Sequence, residues 1–138
     1  MQMYHPEETH GEVTAIYLTH GVAPKQDTYQ YLILPGMDKE NVAAFNLSDI
    51  QILRNDATAQ AVYSEGNTTC WVAAYQPVQL TVSTDLILNI QTPGIYMIRK
   101  NESGRYVINY ADPTQQRNVA ELELNHKKVR LSLPEGKE

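Results

Sequence analysis

The feature of this chain that most limits its fold is a repeated alternation of short strand-forming runs with turn-forming residues. Runs rich in β-branched, aromatic and aliphatic residues end again and again at Gly, Pro, Asn or Asp, which is typical of strands joined by turns. Eleven strands are predicted in this way, at residues 13–19, 28–34, 50–55, 60–64, 69–75, 79–83, 86–90, 95–100, 105–110, 120–124 and 128–133. The pattern therefore predicts an all-β chain, an antiparallel β-sandwich with one short linking helix.

Helical spacing is confined to one segment after Met37. Asp38 is suited to cap the first turn, Val42 and Phe45 are three residues apart, and the polar Asn46 ends the pattern. The two strands before this helix are too few to close a core, whereas the nine after it are enough for a small sandwich. We therefore predict three parts: residues 1–36 from a larger sheet whose other strands are absent, a linking helix in 37–49, and a β-sandwich in 50–138.

Charge and composition exclude several classes of partner. The 138 residues carry a formal charge of −5, so a surface for nucleic acid, which needs clustered Lys and Arg, is not expected. The one basic cluster, Lys127, Lys128 and Arg130, is typical of a solvated sheet edge. The sequence contains no apolar run of membrane-spanning length, so no membrane contact is expected. The single Cys70 lies inside a predicted strand and is interpreted as a small hydrophobic residue.

Residues able to support catalysis are scattered rather than clustered. His20 ends a predicted strand next to Gly21, where it is either a loop-borne acid or base or a histidine held structurally in a turn. Glu121 and Glu123 share one strand face, but the intervening leucines mark that face as solvated. The sequence has neither a Gly-rich phosphate loop nor metal-ligand spacing. No cofactor, metal or catalytic residue is therefore predicted.

The aromatic residues are the strongest candidates for ligand contact. The chain has nine Tyr, one Trp and one Phe, a bias that suits half-buried strands whose side chains end in a polar tip. Five of them either form a platform on which sugar rings stack or pack in the core: Trp71, Tyr75, Tyr96, Tyr106 and Tyr110. Trp71, Tyr75 and His20 are the predicted substrate-binding residues.

Two stretches of the sequence resemble the polysaccharide lyases that cleave chondroitin and hyaluronan. The first is the His20-Gly21 loop with Pro24, followed by Tyr29-Gln30-Tyr31 and Pro35, which resembles the end of the family's central β-sandwich domain. The second runs from Ile50 through Trp71-Val72-Ala73 to the segment 94–100 and looks like the small C-terminal β domain. The resemblance covers roughly residues 12–125.

This resemblance implies a function that the chain does not perform alone. The family cleaves uronic-acid polysaccharides by β-elimination, with a base, an acid and charge-stabilising side chains that lie mainly in an N-terminal helical toroid. None of those positions matches a residue here. The resemblance implies an architectural or accessory role, with the toroid, the central domain and a glycosaminoglycan as partners and a periplasmic or secreted location. The alternative is an independent carbohydrate-binding module.

Overall fold

A computed structural model of the chain describes residues 17–19, 21–23, 25 and 29–133. The chain divides into two compact units, residues 1–43 and 44–138. Nine strands form the second unit: β1 Ile50–Asn55, β2 Ala59–Ser64, β3 Thr69–Ala74, β4 Val78–Ser83, β5 Leu86–Ile90, β6 Gly94–Lys100, β7 Tyr106–Ala111, β8 Val119–Leu124 and β9 Lys127–Ser132. The predicted all-β sandwich is confirmed, and each of these nine strands was predicted with ends within one residue of those observed.

The predicted helix is also confirmed. Helix α1, Lys39–Ala44, begins after Asp38, whose carboxylate accepts the backbone N–H of Asn41 at 2.8 Å and so satisfies one of the free donors of the first turn. Asn46 then caps a 3₁₀ turn, Leu47–Asp49, that leads into β1. The predicted domain limits at residues 36 and 50 remain predictions.

The strand predicted at residues 28–34 is wrong for the part that the structure describes, because residues 29–34 form no strand there. A strand is defined by its hydrogen-bonded neighbours, and these residues were expected to pair with strands absent from this chain. The side chains nevertheless alternate as in an extended segment, since the rings of Tyr29 and Tyr31 stack at 6.1 Å. Of the strand predicted at 13–19, only residues 17–19 are described, and they form no strand.

Two antiparallel sheets make up the sandwich. The five-stranded sheet has the order β1-β2-β3-β6-β7, and the four-stranded sheet has the order β4-β5-β8-β9. The chain therefore passes to the second sheet after β3, returns after β5 and passes over again after β7. Alternating residues of both sheets point inward and form one core, with Val72, Tyr96 and Ile98 from the first sheet and Leu88, Ile90 and Leu122 from the second nearly inaccessible to solvent.

Three tyrosines that pack in the core donate their hydroxyl groups to backbone carbonyls. Tyr96 donates to the carbonyl of Thr92 at 2.6 Å, Tyr110 to that of Pro93 at 3.0 Å and Tyr106 to that of Asp85 at 3.2 Å. Each ring therefore fills the interior while its polar tip reaches a turn at the rim of the sandwich. This arrangement explains why these three positions hold Tyr rather than Phe.

Turns at residues 64–67 and 101–104 join β2 to β3 and β6 to β7, and they differ in backbone geometry. Gly104 in the second turn has a positive φ of 75°. In the first hairpin the positive φ of 45° belongs to Thr68, and Gly66 is not in the left-handed region. The hydroxyl of Thr68 donates to the carbonyl of Lys100 at 3.1 Å, a tertiary contact that holds the residue in this conformation.

Candidate functional site

The outward face of the five-stranded sheet carries the most notable exposed surface of the sandwich. Cross-strand partners place its middle row in the order Ile52, Val62, Trp71, Met97 and Asn109. The next row holds Gln60, Ala73, Ile95 and Ala111. Six apolar residues are thus contiguous on a surface that points away from the core, and we call them the Trp71 face: Ile52, Val62, Trp71, Ala73, Ile95 and Met97.

The side chains of the Trp71 face are accessible in the described structure. Trp71 is 42% exposed, Ile52 44%, Ile95 51% and Met97 36%, whereas their strand neighbours Cys70, Tyr96 and Ile98 are fully buried. The contrast follows from the two-residue period of a strand, which sends successive side chains to opposite sides of a sheet. Trp71 lies on β3, the middle strand of the five, and is therefore at the centre of this surface.

The structure brings two of the three predicted binding residues to this side of the sheet. Tyr75 follows β3 and is 53% exposed, and its hydroxyl donates to the Gln60 side chain at 3.2 Å. It lies four positions after Trp71, which corresponds to about 13 Å along an extended chain. His20, the third predicted residue, lies outside the described residues. The ligand-binding role of Trp71 and Tyr75 remains a prediction.

The wider aromatic platform considered from the sequence does not form. Tyr96 is completely buried, and Tyr106 and Tyr110 pack against the core, so none of the three shares a surface with Trp71. Burial raises the pKa of Tyr63, Tyr96, Tyr106 and Tyr110, because the phenolate is disfavoured away from water. These tyrosines serve packing, as the alternative interpretation had it.

Sequence reasoning missed Ile52, Ile95, Met97 and Arg99 as members of one surface. The two-residue period of β6 could have identified them, since residues 95, 97 and 99 alternate with the buried Tyr96 and Ile98 and so share the outward side. Arg99 stands at the rim of the Trp71 face. Along β2, β3, β6 and β7 it is the one ionisable side chain at an outward position, so the surface is nearly uncharged.

The outward face of the four-stranded sheet is polar and internally compensated. Its middle row reads Gln79, Asn89, Glu123 and Lys128. Asn89 donates to Glu123 at 3.2 Å, and Arg130 lies 4.0 Å from Glu121. The two glutamates are therefore members of a solvated face, as predicted, and their neighbours do not create the environment of a carboxylate pair for glycoside hydrolysis. Strand β9 is the edge of this sheet, and its three basic residues are exposed as predicted.

The remaining side chains that could act as nucleophiles, acids, bases or metal ligands form no site in the described residues. Cys70 is buried, and its burial raises the pKa of the thiol to about 12, so the reactive thiolate is suppressed. His126 is exposed in the β8–β9 turn. Within residues 17–19, 21–23, 25 and 29–133, no cluster of His, Cys, Asp or Glu is arranged to hold a metal ion. No helix in the same residues is long and apolar enough to span a membrane.

Asp112 is the most heavily hydrogen-bonded carboxylate among the described residues. It accepts backbone N–H groups from Thr114, Gln116 and Arg117 and a guanidinium N–H from Arg117 at 2.9 Å. Burial alone would raise the pKa of this carboxyl group, but the hydrogen bonds outweigh burial and lower it to about 2. Because its acceptor sites are used by its own loop, Asp112 organises the β7–β8 connection and leaves no open position for a ligand.

Comparisons with known proteins match this architecture. The family model for the polysaccharide lyase family 8, C-terminal beta-sandwich domain, matches residues 51–121, a little over half of the chain. Chondroitinase-AC of Pedobacter heparinus is 29% identical over 124 residues, covering 89% of this chain and 17% of that protein. Chondroitin sulfate ABC exolyase of Bacteroides thetaiotaomicron is 27% identical over 108 residues, covering 78% of this chain and 11% of that protein.

A solved structure is similar as well. Chondroitinase AC lyase, known from its enzyme-oligosaccharide complexes, superimposes with a TM-score of 0.64 at 25% identity, over 75% of this chain and 16% of the solved chain. In every one of these comparisons the region matching this chain is less than a fifth of the relative's length. The similarity therefore concerns one domain of proteins that carry several times more chain.

Proposed function

The chain belongs to polysaccharide lyase family 8, as the C-terminal β-sandwich domain of a chondroitinase-type lyase, and from this premise we propose that it is an accessory domain without catalytic residues. The parent lyase would cleave chondroitin sulfate or hyaluronan by β-elimination. Its base, acid and charge-stabilising groups would lie mainly in the N-terminal helical toroid. The present domain would contribute architecture to that enzyme.

One observation carries this proposal: the phenols buried in the sandwich are in the wrong state for proton abstraction. A general base needs a pKa near the working pH and an open path to the substrate proton. Burial instead raises the pKa of Tyr96 and Tyr106, and their hydroxyls donate to backbone carbonyls. Arg99, at the rim of the Trp71 face, is the one ionisable side chain at the outward positions of β2, β3, β6 and β7, so no carboxylate stands beside it at those positions.

Exposed apolar residues in the first unit also support a larger parent enzyme. We propose that residues 1–36 complete the central β-sandwich of the parent, where residues 29–34 would join a sheet. Ile33 and Tyr31 are each 69% exposed in the described structure. Exposed apolar side chains in an extended segment are stabilised when a neighbouring strand and a facing layer cover them.

The decisive experiment compares this chain with the complete polypeptide that its gene encodes. Each is incubated with chondroitin sulfate and with hyaluronan, and the ultraviolet absorbance of the unsaturated uronate product is followed. We expect product from the complete polypeptide and none from the 138-residue chain. Product formed by the purified chain alone would overturn the accessory role, and a complete polypeptide inactive on both polymers would overturn the proposed lyase.

A second candidate function is carbohydrate binding at Trp71. The observation in its favour is that Trp71, Tyr75 and Arg99 lie on one side of one sheet, where an aromatic ring could stack on a sugar and a guanidinium could meet a carboxylate. Because Trp71 is the only tryptophan, its fluorescence reports directly on this surface. Chondroitin sulfate oligosaccharides are titrated into the chain, and calorimetry with Trp71→Ala provides the control. Saturable binding that Trp71→Ala abolishes would favour this function.

We also propose that the parent enzyme is periplasmic or secreted. The support is the family resemblance, since the polysaccharides that such enzymes degrade are too large to enter a bacterial cell unaided. Fractionation of cells that express the complete gene, followed by lyase assays of each fraction, tests the location. Activity confined to the cytoplasmic fraction would contradict it.

A further inference from the structure

We propose that the Trp71 face is the surface through which this sandwich packs against another domain of the same lyase polypeptide. The inference rests on the proposed function, because it requires a parent chain, and it deepens that function by naming the surface and the kind of partner. The partner surface would be apolar and uncharged, with a recess for the Trp71 ring.

The first argument is the chemistry of the surface. An antiparallel sheet with one solvated face normally alternates apolar inward residues with polar outward ones. The five-stranded sheet departs from this pattern, because Ile52, Trp71, Ile95 and Met97 are all substantially exposed. A contiguous exposed apolar patch with a polar rim marks an interaction surface. Here the rim consists of Gln60, Asn109 and Arg99.

The second argument is that the other sheet of the same sandwich follows the solvated pattern. Its middle outward row, Gln79, Asn89, Glu123 and Lys128, is polar at every position, and Ile87, opposite Thr81 in the next row, is half-buried. Both sheets contribute to one core and arise from one sequence, so a general lack of polar residues does not explain the difference. The four-stranded sheet is built to face water, and the five-stranded sheet is built to be covered.

The third argument concerns the occupant and weighs against a glycosaminoglycan. Such a polymer is a polyanion with many hydroxyl groups, and its recognition requires several cations and hydrogen-bonding side chains. The outward positions of β2, β3, β6 and β7 offer Arg99 as their one cation, with aliphatic side chains at the centre. Sugar hydroxyls placed against Ile95 and Met97 would lose hydrogen bonds to water without replacement.

The fourth argument favours a partner on the same polypeptide. The relatives carry the matching segment as 11% and 17% of one continuous protein, so most of each relative's chain is available to cover such a face. A covalent connection gives the two surfaces a high effective concentration. A modest apolar face can therefore form a stable contact without independent affinity. The central position of Trp71 is where an interface concentrates its binding energy.

The test uses cysteine accessibility, for which this chain is well suited. Cys70 is buried with a thiol pKa of about 12, so it contributes little background to labelling of the native protein. Met97→Cys places a thiol on the Trp71 face, and Thr81→Cys places the matched control on the exposed outer face of the four-stranded sheet. Each variant is made in the 138-residue chain and in the complete polypeptide. Maleimide modification at the introduced cysteine is timed by mass spectrometry of its peptide.

We expect Met97→Cys to react at least about tenfold more slowly in the complete polypeptide than in the 138-residue chain, whereas Thr81→Cys reacts at similar rates in both. Equal rates for Met97→Cys in an active complete polypeptide would overturn the docking while leaving the proposed function intact. A complete polypeptide without lyase activity would overturn the proposed function separately. Slow labelling of Met97→Cys in the 138-residue chain that accelerates on dilution would assign the face to a second copy and overturn the proposal.

Discussion

The two sheets of the sandwich present opposite surfaces to their surroundings. The middle row of the five-stranded sheet reads Ile52, Val62, Trp71, Met97 and Asn109, whereas that of the four-stranded sheet reads Gln79, Asn89, Glu123 and Lys128. Toward the core the two sheets are alike, since both supply buried aliphatic side chains. The residues on the inner faces therefore determine how the domain folds, whereas the residues on the outer faces determine which surface meets water and which meets another domain.

This comparison separates stability from function in the chain. A residue of the inner layer affects folding regardless of the parent enzyme, because its neighbours belong to the same sandwich. A residue of the Trp71 face affects the isolated chain little, and its role becomes visible only when a partner covers it. Substitutions in the two layers should therefore differ in size and in the assay that detects them.

The largest effect is expected from truncation of the shared core. Ile98 belongs to the five-stranded sheet and Leu88 to the four-stranded sheet, and both are inaccessible to solvent. Replacing either with Ala should lower the free energy of unfolding by roughly 2–5 kcal/mol, through lost burial and the cavity left behind. Urea denaturation of the 138-residue chain measures this, with the exposed Thr81→Ala as control. A cost below about 1 kcal/mol at one site alone would show that the sheets do not share one core.

A somewhat smaller effect is expected where the five-stranded sheet has no room for a side chain. Gly94 begins β6 with a φ of +152°, and a Cβ added there would overlap the ring of Tyr110 and lie 2.9 Å from the carbonyl oxygen of Ala111. Gly94→Ala should cost about 1–3 kcal/mol, because strained backbone and displacement of a core ring both oppose it.

Gly66→Ala is the matched control for that substitution. A Cβ at Gly66 would come no closer than 3.4 Å to another atom, the Oδ2 of Asp49. Its thermal midpoint should stay close to that of the unmodified chain. Equal midpoints for both glycine variants would contradict the close packing of Tyr110 against β6.

Acid should lower the stability of the sandwich through two carboxylates in its turns, Asp85 and Asp112. Hydrogen bonds from Lys100 and Ser83 lower the pKa of Asp85 to about 2, and the loop around Asp112 does the same for that carboxyl group. A carboxyl group with a lowered pKa in the folded state contributes stability above its ordinary pKa of 3.8 and loses it as the pH falls toward 2.

Unfolding free energies measured between pH 5 and about pH 2 test this expectation. Stability should fall across the interval, and Asp112→Asn should be less stable at neutral pH and should show a shallower fall. An identical slope for Asp112→Asn and the unmodified chain would show that the loop does not favour the ionised carboxylate in the folded state.

Much of the fold could be predicted from the sequence because its signals are local. Turn residues mark the strand ends. The alternation of Val129 and Leu131 with polar neighbours identifies the solvent-exposed side of β9. The order of strands within a sheet has no such local marker, so the pairing of β3 with β6 and of β5 with β8 became known only from the structure. Residues 29–34 show the opposite: the residue types favour a strand, but no other strand among the described residues forms hydrogen bonds with them, so no strand results.

The candidate site was only partly predictable for a related reason. In β3 both sides are apolar, so the sequence alone could not decide whether Trp71 or Cys70 points inward. The aromatic residues were consequently grouped by type, although the structure separates the exposed Trp71 and Tyr75 from the buried Tyr96. A surface formed from four strands is a property of register, and register is fixed by contacts between residues distant in sequence.

The smallest effect on stability is expected from exchanging the outer-face chemistries. Met97→Gln makes the Trp71 face more polar, and Gln79→Met makes the opposite face more apolar, and both side chains are exposed on the outer faces. Each substitution should change the free energy of unfolding of the 138-residue chain by no more than about 0.5 kcal/mol. Binding of a fluorescent dye that adheres to apolar surface should fall for Met97→Gln and rise for Gln79→Met. A Met97→Gln chain with unchanged dye binding would mean that the exposed apolar surface lies elsewhere, and the contrast between the two sheets would then lose its functional meaning.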